Sequence, residues 1–295
     1  MSELTVAATQ MPCGPNRAEN LDRAEALVRE AAGRGARLIL LQELFADLYF
    51  CKDELPKFFD LAEPFDTSTV VARFADLARE LQVVLPISFF ERAGRSFFNS
   101  VTVADVDGSL TGLYRKSHIP DGPGYEEKYY FTPGDTGFRV FATAVGRVGV
   151  GICWDQWFPE CARAMALLGA DVLCYPTAIG SEPQDPTLDS AAHWRRVMQG
   201  HAAANMIPLM ASNRVGHEVG EPVETTFYGT SFIADETGHV VADLDRESSG
   251  VITATFDLGA VQQARESFGL FRDRRPELYG ALSTYDGWHP HTRAR

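Results

Sequence analysis

Short apolar runs alternate with segments of helical periodicity along most of the chain, and this alternation restricts the possible folds more than any other feature. The run LTVAATQM (residues 4–11) precedes residues 16–34, where apolar side chains recur at helical spacing, and the apolar run ARLILLQE (residues 36–43) follows. Alternating strands and helices are typical of α/β proteins. Several later strands follow one another directly, as in the hairpin predicted around Asp107-Gly108. We therefore expect two packed sheets rather than one doubly wound sheet.

The same patterns predict the rest of the chain. Residues 115–137 form a long polar segment rich in Gly and Pro, and loops of that length in compact domains are usually functional or disordered. No repeat, linker or break in composition divides the sequence, so we expect residues 1–295 to form a single domain. Further helices are expected over residues 67–81, 160–168 and 191–205 and after Leu258, and further strands over residues 82–91, 97–105, 109–116, 138–143, 146–153, 171–176, 207–212, 228–235, 239–244 and 250–257.

Composition argues against several classes of protein. The chain has 40 acidic and 27 basic residues, a net charge of −13, whereas a nucleic-acid-binding protein needs a basic face. No apolar run approaches the roughly 20 residues of a membrane-spanning helix, and the N-terminus lacks the basic and apolar regions of a secretory signal. The five cysteines are scattered and form no C-x-x-C pair. We expect a cytoplasmic protein that binds neither nucleic acid nor membranes.

Three polar residues follow three of the predicted strands. Glu43 ends the run ARLILLQE, Lys116 ends the second strand of the predicted hairpin, and Cys153 ends the run GRVGVGIC. Each has a simpler explanation when taken singly. A glutamate after a strand is usually exposed, a lone lysine is usually solvated, and a cysteine usually serves as a small hydrophobic side chain.

Together, these three residues supply the groups that acyl transfer needs. A thiol with an ordinary pKa of about 8.5 needs a base, and burial raises the pKa of a carboxylate into the range that suits this task. A lysine and the N–H groups at the start of the helix after Cys153 can stabilise an oxyanion. We therefore predict that Glu43, Lys116 and Cys153 form a nucleophilic site.

The segments around these residues resemble the three signature segments of the nitrilase superfamily of carbon–nitrogen hydrolases. They are LLQELF (residues 40–45), residues 114–138 and GICWDQWFPE (residues 151–160), and the likeness extends over essentially the whole chain. The segments around Lys116, Cys153 and Glu182 are similar to the N-carbamoylputrescine amidase branch. The resemblance implies an α/β fold of the nitrilase-like α-β-β-α four-layer sandwich type and a Glu–Lys–Cys triad.

The resemblance also implies a role for each residue. Glu43 would be the general base, Cys153 the nucleophile, and Lys116 would stabilise the oxyanion together with the backbone N–H of Trp154. A second glutamate after the lysine often assists in this family; Glu127 is the candidate, with Glu126 as the alternative. No metal or organic cofactor is implied.

A substrate of this branch is a small ureido compound with a cationic end, so its site needs a carboxylate. Glu182 is the candidate for binding the ammonium group, and Asp185 is the alternative. A substrate bearing a carboxylate would instead need an arginine, and residues 178–190 contain no basic residue. Trp154 and Tyr125 complete the set of candidate substrate-binding residues.

Several alternatives remain open. His118 could serve Cys153 in a papain-like Cys–His pair, although this would leave the glutamate and lysine segments unexplained. His193 and His201 share a helix face but stand eight residues apart, too far to bind one metal ion. A sibling amidase, such as a ureidopropionase-like enzyme or an omega-amidase, and a non-catalytic binding protein are the other functional alternatives.

The C-terminal segment, residues 271–295, is rich in arginine and aromatic residues and has no obvious place in a monomer core. In the family that the chain resembles, such tails commonly pack across a dimer. We therefore expect a homo-oligomer, a dimer or larger, with this tail at its interface.

Overall fold

The computed structural model describes residues 3–221 and 223–287. The α-helices are α1 (Arg17–Gly33), α2 (Thr69–Leu81), α3 (Glu127–Tyr130), α4 (Pro159–Leu167), α5 (Ala191–Asn205) and α6 (Leu258–Phe268). The strands are β1 (Glu3–Gln10), β2 (Leu38–Leu40), β3 (Leu85–Ala93), β4 (Ser96–Ala104), β5 (Leu110–Arg115), β6 (Val140–Thr143), β7 (Gly146–Val150), β8 (Val172–Pro176), β9 (Leu209–Ser212), β10 (Val215–Val219), β11 (Glu224–Tyr228), β12 (Phe232–Ala234), β13 (Val240–Asp243) and β14 (Gly250–Asp257).

The main strands form two sheets. In the first, the order β14-β1-β2 continues through a parallel bridge between Leu38 and Val84 into the antiparallel meander β3-β4-β5. The second has the order β13-β12-β9-β8-β7-β6, with β7, β8 and β9 parallel. Strands β10 and β11 pair as a separate hairpin. The prediction of two sheets is therefore confirmed.

The strands read as apolar runs because both faces of each sheet are covered. In β1, Val6 and Ala8 pack between the two sheets, whereas Ala7 packs under the helices on the outer face. Helices α1 and α2 cover the first sheet through side chains such as Leu27 and Phe74. Helices α4 and α5 cover the second sheet in the same way. The result is the expected α-β-β-α sandwich, in which each buried Leu, Val or Phe side chain contributes about 1.5–3 kcal/mol.

Local capping explains where the outer helices begin. The side chain of Asn16 accepts a hydrogen bond from the backbone N–H of Ala18 at the start of α1, and Ser68 accepts one from Val71 at the start of α2. Helix α2 ends at Gln82, which adopts the left-handed conformation. These ends lie within two residues of those predicted.

Three parts of the chain differ from the predicted pattern. The strand predicted over residues 36–43 is limited to Leu38–Leu40, and the chain then turns through Leu44, which has a φ of 49°. The hairpin β10–β11 was not predicted, because it alternates polar side chains such as Glu218 and Thr226 with few apolar ones. In the long segment that was predicted as a loop, residues 115–137, the structure forms the short helix α3.

The described part of the C-terminal tail, residues 271–287, contains short 3₁₀ turns at Pro276–Leu278 and Gly280–Ser283. Residues 288–295 of the predicted interface tail lie outside the described residues. Among the helices that the structure describes, none combines the length and the apolar character that a bilayer crossing requires.

Candidate active site

The three residues predicted from their strand ends meet at one edge of the sandwich. Glu43 lies in the turn after β2, Lys116 comes directly after β5, and Cys153 lies just beyond β7. All three side chains are buried. The structure therefore brings together the groups that the sequence predicted as a nucleophilic site.

Lys116 is the centre of a buried network of charges. Its Nζ donates to Oε1 of Glu43 at 2.8 Å and to Oε2 of Glu127 at 2.6 Å. Asn99 donates a further hydrogen bond to Oε1 of Glu43 (2.7 Å), and the hydroxyl of Tyr49 donates to Oε1 of Glu127 (2.6 Å). One ammonium group is thus shared by two carboxylates, and the second oxygen of Glu43 has no hydrogen-bond partner among the described residues.

The charges around Lys116 shift the pKa values of the site. Burial would by itself lower the pKa of Lys116, but Glu127 and Glu43 raise it well above its ordinary value, so the amine is protonated. Burial raises the pKa of Glu127 to about 7, and the neighbouring charge of Lys116 opposes that shift while Glu43 adds to it. Glu127 therefore changes its charge near neutral pH.

Glu127, and not its neighbour Glu126, makes the contact with Lys116. The backbone N–H of Glu126 donates to the carbonyl of Cys51 (2.7 Å), and its side chain is half-buried. Helix α3 begins at Glu127, whose side chain is completely buried. Of the two glutamates that the sequence left open, Glu127 is therefore the one that contacts Lys116.

Cys153 stands at a sharp bend between β7 and a 3₁₀ turn, Cys153–Trp157. Its φ of 42° lies in the left-handed region, which a non-glycine residue adopts only where the surroundings enforce it. Gly151 permits the close approach that precedes this bend, since a Cβ there would come within 2.8 Å of the ring of Tyr175. The bend exposes Sγ to the cavity described below and leaves it 3.8 Å from the carbonyl oxygen of Ala178.

The surroundings of Cys153 keep its sulfur protonated. Burial raises the pKa of the thiol well above its ordinary value, Glu43 raises it further, and Lys116 lowers it. A thiol in this state is a weak nucleophile until a base removes its proton. Glu43, whose Oε2 is free of protein partners among the described residues, is the carboxylate available for that task.

The carboxylate of Asp155 ties the cysteine bend to the segment that carries the lysine. Its Oδ2 accepts from the backbone N–H of Ile152 (2.9 Å) and the hydroxyl of Tyr114 (2.7 Å). Its Oδ1 accepts from the backbone N–H of His118 (3.0 Å) and from Nδ1 of the same residue (2.7 Å). The imidazole of His118 also stacks on Phe158 at 3.6 Å. Among the described residues, the hydrogen bond of Cys153 Sγ goes to the carbonyl of Ala178 and not to His118, and His118 does not line the cavity, so the papain-like alternative has no support.

Replacing Asp155 by asparagine is expected to destabilise this connection. The amide would turn a donor towards groups that already donate, leaving a buried donor unpaired and lowering the free energy of unfolding by about 1–3 kcal/mol. Iodoacetamide should also label Cys153 more slowly, because the bend loses its support. Thermal unfolding and peptide mass spectrometry measure the two effects.

Asp235→Asn is the matched control, since Asp235 caps a surface turn at Thr237 and His239. We expect it to change the free energy of unfolding by no more than about 0.5 kcal/mol. Equal stability losses in the two variants would contradict the role given to Asp155.

A cavity of about 380 Å³ opens beside Cys153. Trp154, which was predicted as a substrate-binding residue, lines it together with Trp157. Tyr125 lines another side, where its hydroxyl accepts from the backbone N–H of Gly180 (2.9 Å). The acidic side chains along this cavity are those of Asp121, Glu182 and Asp189, and none of its described lining residues is lysine or arginine.

The two acids predicted for the substrate cation are placed differently. Glu182 is half-buried and lines the cavity, where its Oε2 accepts from Gln184 at 3.2 Å. Asp185 is exposed and does not line it; its Oδ1 instead accepts from the backbone N–H and the hydroxyl of Thr187 (3.0 and 2.6 Å). The structure therefore leaves Asp185 outside the site. Asp189 is engaged by Arg246 at 2.7 Å.

The two helix histidines considered for a metal ion have separate surroundings. The ring of His193 lies 4.9 Å from that of Trp157 at the cavity, whereas His201 is buried against Tyr175. Burial lowers the pKa of His201 to about 4, so it is neutral. Within residues 3–221 and 223–287, no three His, Cys, Asp or Glu side chains are arranged to hold a metal ion.

Sequence reasoning missed the side chains that orient the two glutamates. Asn99 is a polar residue inside the apolar strand β4, a signal that could have singled it out. Tyr49 lies in an irregular segment with no pattern of its own, and nothing in the sequence distinguishes it from a core aromatic residue. The structure alone reveals its contact with Glu127.

Comparison with known proteins places the chain in a family. The sequence model of the carbon-nitrogen hydrolase family matches residues 5–266. The chain is 56% identical over 289 residues to the N-carbamoylputrescine amidase of Arabidopsis thaliana, covering 97% of each protein. It is 54% identical to the citrullinase of Francisella tularensis subsp. tularensis, covering 96% of this chain and 99% of that protein.

A solved structure gives the same answer. The crystal structure of a carbon-nitrogen hydrolase from Helicobacter pylori G27 superimposes with a TM-score of 0.90 and 40% sequence identity, covering 96% of this chain and 99% of that one. The family match, the similar relatives and the shared sandwich agree with one another. The chain therefore belongs to the carbon-nitrogen hydrolase family, and it is an enzyme of the nitrilase superfamily.

Proposed function

We propose that the protein hydrolyses N-carbamoylputrescine to putrescine, ammonia and carbon dioxide. The observation that carries the proposal is the cavity beside Cys153, which has acidic side chains and neither lysine nor arginine among its described lining residues. Such a pocket suits a neutral ureido group at the sulfur and an ammonium group towards the acids. The relatives named as N-carbamoylputrescine amidases, which are 55–56% identical to this chain, support the same substrate.

In the proposed first half-reaction, Cys153 attacks the ureido carbon. Glu43 takes the proton from Sγ as the S–C bond forms, and the carbonyl oxygen becomes an oxyanion that Lys116 and the backbone N–H of Trp154 stabilise. When the tetrahedral intermediate collapses, the bond to the terminal nitrogen breaks. Glu43 delivers its proton to that nitrogen, and ammonia leaves a thioester on Cys153.

In the second half-reaction, water replaces the sulfur. Glu43 removes a proton from the water as it attacks the thioester carbon, and the C–S bond then breaks to restore the thiol. The product is a carbamate, which loses carbon dioxide to leave putrescine. In sum, one substrate molecule and one water give one amine, one ammonia and one carbon dioxide.

Citrulline is the competing substrate, because a relative at 54% identity is a citrullinase. Citrulline carries the same ureido group but adds a carboxylate beside the amine, and that carboxylate would need a basic partner. The described cavity wall offers Glu182 and Asp121 instead, which would repel it. The charge of the wall therefore favours the substrate without the carboxylate.

The test of the proposal is ammonia release by the purified protein from N-carbamoylputrescine, citrulline and N-carbamoyl-β-alanine. We expect kcat/KM to be at least about 100-fold higher for N-carbamoylputrescine, which corresponds to about 2.8 kcal/mol of discrimination or more. Equal or faster release from citrulline would transfer the proposal to that substrate. Release from N-carbamoyl-β-alanine alone would overturn the proposal that the cavity binds a cationic substrate.

Replacing Glu182 by glutamine is expected to raise KM for N-carbamoylputrescine about 10-fold, because the ammonium group loses its charged partner. For N-butylurea, which has the same chain without the charge, KM should change less than about twofold. Steady-state kinetics on both compounds measure the difference.

Asp185→Asn is the control, since Asp185 lies in the same loop but outside the cavity. It should leave KM for both compounds unchanged. If replacing Glu182 raised KM equally for the charged and the neutral compound, the role given to Glu182 would be contradicted.

We further propose that residues 1–295 form a single domain, which works as a cytoplasmic homo-oligomer. The pairing of β1 with β14 supports one domain, and the five unpaired cysteines support a reducing compartment. The large exposed side chains of Phe268, Leu278 and Leu282 support an interface at the C-terminal tail. Light scattering at micromolar concentration tests the assembly, and a monomer would contradict it.

A further inference from the structure

A buried ion pair on the separate hairpin β10–β11 has no part in the chemistry described above. Arg214, just before β10, is completely buried, and its guanidinium donates to Oε1 of Glu218 at 2.9 Å. Glu218 is also almost completely buried. Two charges withdrawn from water are costly to a fold unless their remaining hydrogen-bonding capacity is used, so their other contacts show what the pair does.

Arg214 holds the turn that carries the first glutamate. Its guanidinium donates to the backbone carbonyls of Glu43 (3.1 Å), Leu44 (2.6 Å) and Asp47 (2.9 Å). Leu44 has a φ of 49°, a conformation that is strained for a leucine. The arginine thus stabilises a strained turn whose shape determines where the Glu43 side chain points.

Glu218 holds the residue that orients the second glutamate. Its Oε2 accepts from the backbone N–H of Tyr49 at 2.7 Å and from Nζ of Lys52 at 3.4 Å. The hydroxyl of Tyr49 in turn donates to Glu127 at 2.6 Å. The ion pair therefore holds both the turn that carries Glu43 and the tyrosine that orients Glu127, the two carboxylates that contact Lys116.

We propose that Arg214 and Glu218 are positioning residues that keep Glu43 and Glu127 simultaneously in contact with Lys116. The inference rests on the proposed function for the roles of these glutamates. It predicts that loosening the ion pair disturbs both carboxylates at once, although neither Arg214 nor Glu218 touches the substrate cavity. The thiol of Cys153 would then lose the base that activates it.

The pH dependence carries a signature of this role. The titratable groups that act on Glu127 or respond to it are Lys116, Glu43, Tyr49, Cys51 and Cys153. The contacts with Lys116 and Tyr49 lower the pKa of Glu127 against the effect of burial. If those contacts lengthen, the pKa of Glu127 rises. Any change in the reactivity of Cys153 that follows the charge of Glu127 then moves to higher pH.

The experiment measures the rate at which iodoacetamide alkylates Cys153 in the full-length protein between pH 5.5 and 9, by peptide mass spectrometry. Of the five cysteines, only Cys153 lines the described cavity. In Glu218→Gln we expect alkylation to be at least about 10-fold slower at pH 7, with the acid limb displaced upwards by half a pH unit or more. Wild-type rate and pH dependence in this variant would overturn the proposal.

Two further variants separate positioning from a general loss of stability. The double variant Arg214→Met with Glu218→Met removes both charges of the pair together, and Lys52 keeps its hydrogen bond to the carbonyl of Tyr49. It can therefore be tested even if Glu218→Gln fails to fold, and it should show the same slow alkylation. Leu77→Ala in α2 is the control, because Leu77 is buried on the outer layer. It should lower the melting temperature without moving the pH profile; a profile displaced as in Glu218→Gln would overturn the proposal.

This design keeps the inference distinct from the proposed substrate. Alkylation requires no turnover, so wild-type protein that fails to hydrolyse N-carbamoylputrescine would overturn the substrate assignment alone. Slow, pH-shifted alkylation in the Glu218 variant would still support positioning in that case.

Discussion

Replacing Cys153 by alanine is expected to lower ammonia release from N-carbamoylputrescine by at least about 10⁴-fold, because no other group can form the covalent intermediate. The substitution removes only Sγ from a cavity of about 380 Å³, so substrate should still bind. In this variant we therefore expect turnover, measured by ammonia release, to be lost while binding, measured by calorimetry, is retained. A dissociation constant within threefold of the wild-type KM would fit a role in chemistry rather than in binding.

Cys174→Ala is the control for this prediction. Cys174 is buried in β8 between the two sheets and does not line the cavity, so its replacement should leave turnover within about twofold of wild type. Substantial turnover by Cys153→Ala, measured after exclusion of contaminating activity, would refute a covalent mechanism through this residue.

Replacing Glu127 by glutamine is expected to have the second-largest effect, a fall in kcat of about 10²–10³-fold. Glutamine has the shape of the protonated acid, so it leaves the ammonium group of Lys116 with Glu43 as its single charged partner. In the wild type, burial raises the pKa of Glu127 to about 7, so its negative charge is lost as the pH falls through neutrality. Wild-type kcat should therefore decline below pH 7.

The variant should lack that decline, because glutamine does not titrate. Comparing kcat from pH 5.5 to 9 tests both parts of the prediction. Glu126→Gln is the matched control, since Glu126 is adjacent in sequence but does not contact Lys116, and it should behave as wild type. An unchanged acid limb in Glu127→Gln would show that another group controls the pH dependence.

The positions of Glu43, Lys116 and Cys153 were predictable because each stands at the end of a predicted strand. Buried strands are the strongest pattern in a sequence of this class, and side chains at neighbouring strand ends gather at one edge of a sheet. Glu127 was found through the resemblance to the superfamily rather than through a pattern. The two packed sheets were predicted from the strand pattern, and the four-layer sandwich was predicted from the resemblance. Both predictions are confirmed.

The remaining parts of the site depend on contacts that no local pattern encodes. Tyr49 lies in a segment of short 3₁₀ turns, and Arg214 stands beside a hairpin with little apolar alternation. Their partners, Glu127 and Glu43, are distant in the chain, so only the tertiary fold brings them together. Asp185 lies in the expected loop, but its carboxylate accepts hydrogen bonds from Thr187 in a local turn and does not reach the cavity.

The pairing of the first strand with the last has a consequence for how the protein is made. In β1, Glu3 stands opposite Asp257 of β14, while the other neighbour of β1 is the short strand β2. During synthesis on the ribosome, one edge of β1 therefore stays unpaired until β14 (Gly250–Asp257) has emerged. Contacts so remote in sequence form slowly, and an unpaired strand edge can associate with other chains. Completion of the first sheet is thus a late event, and the free edge of β1 can pair with other chains until β14 is in place.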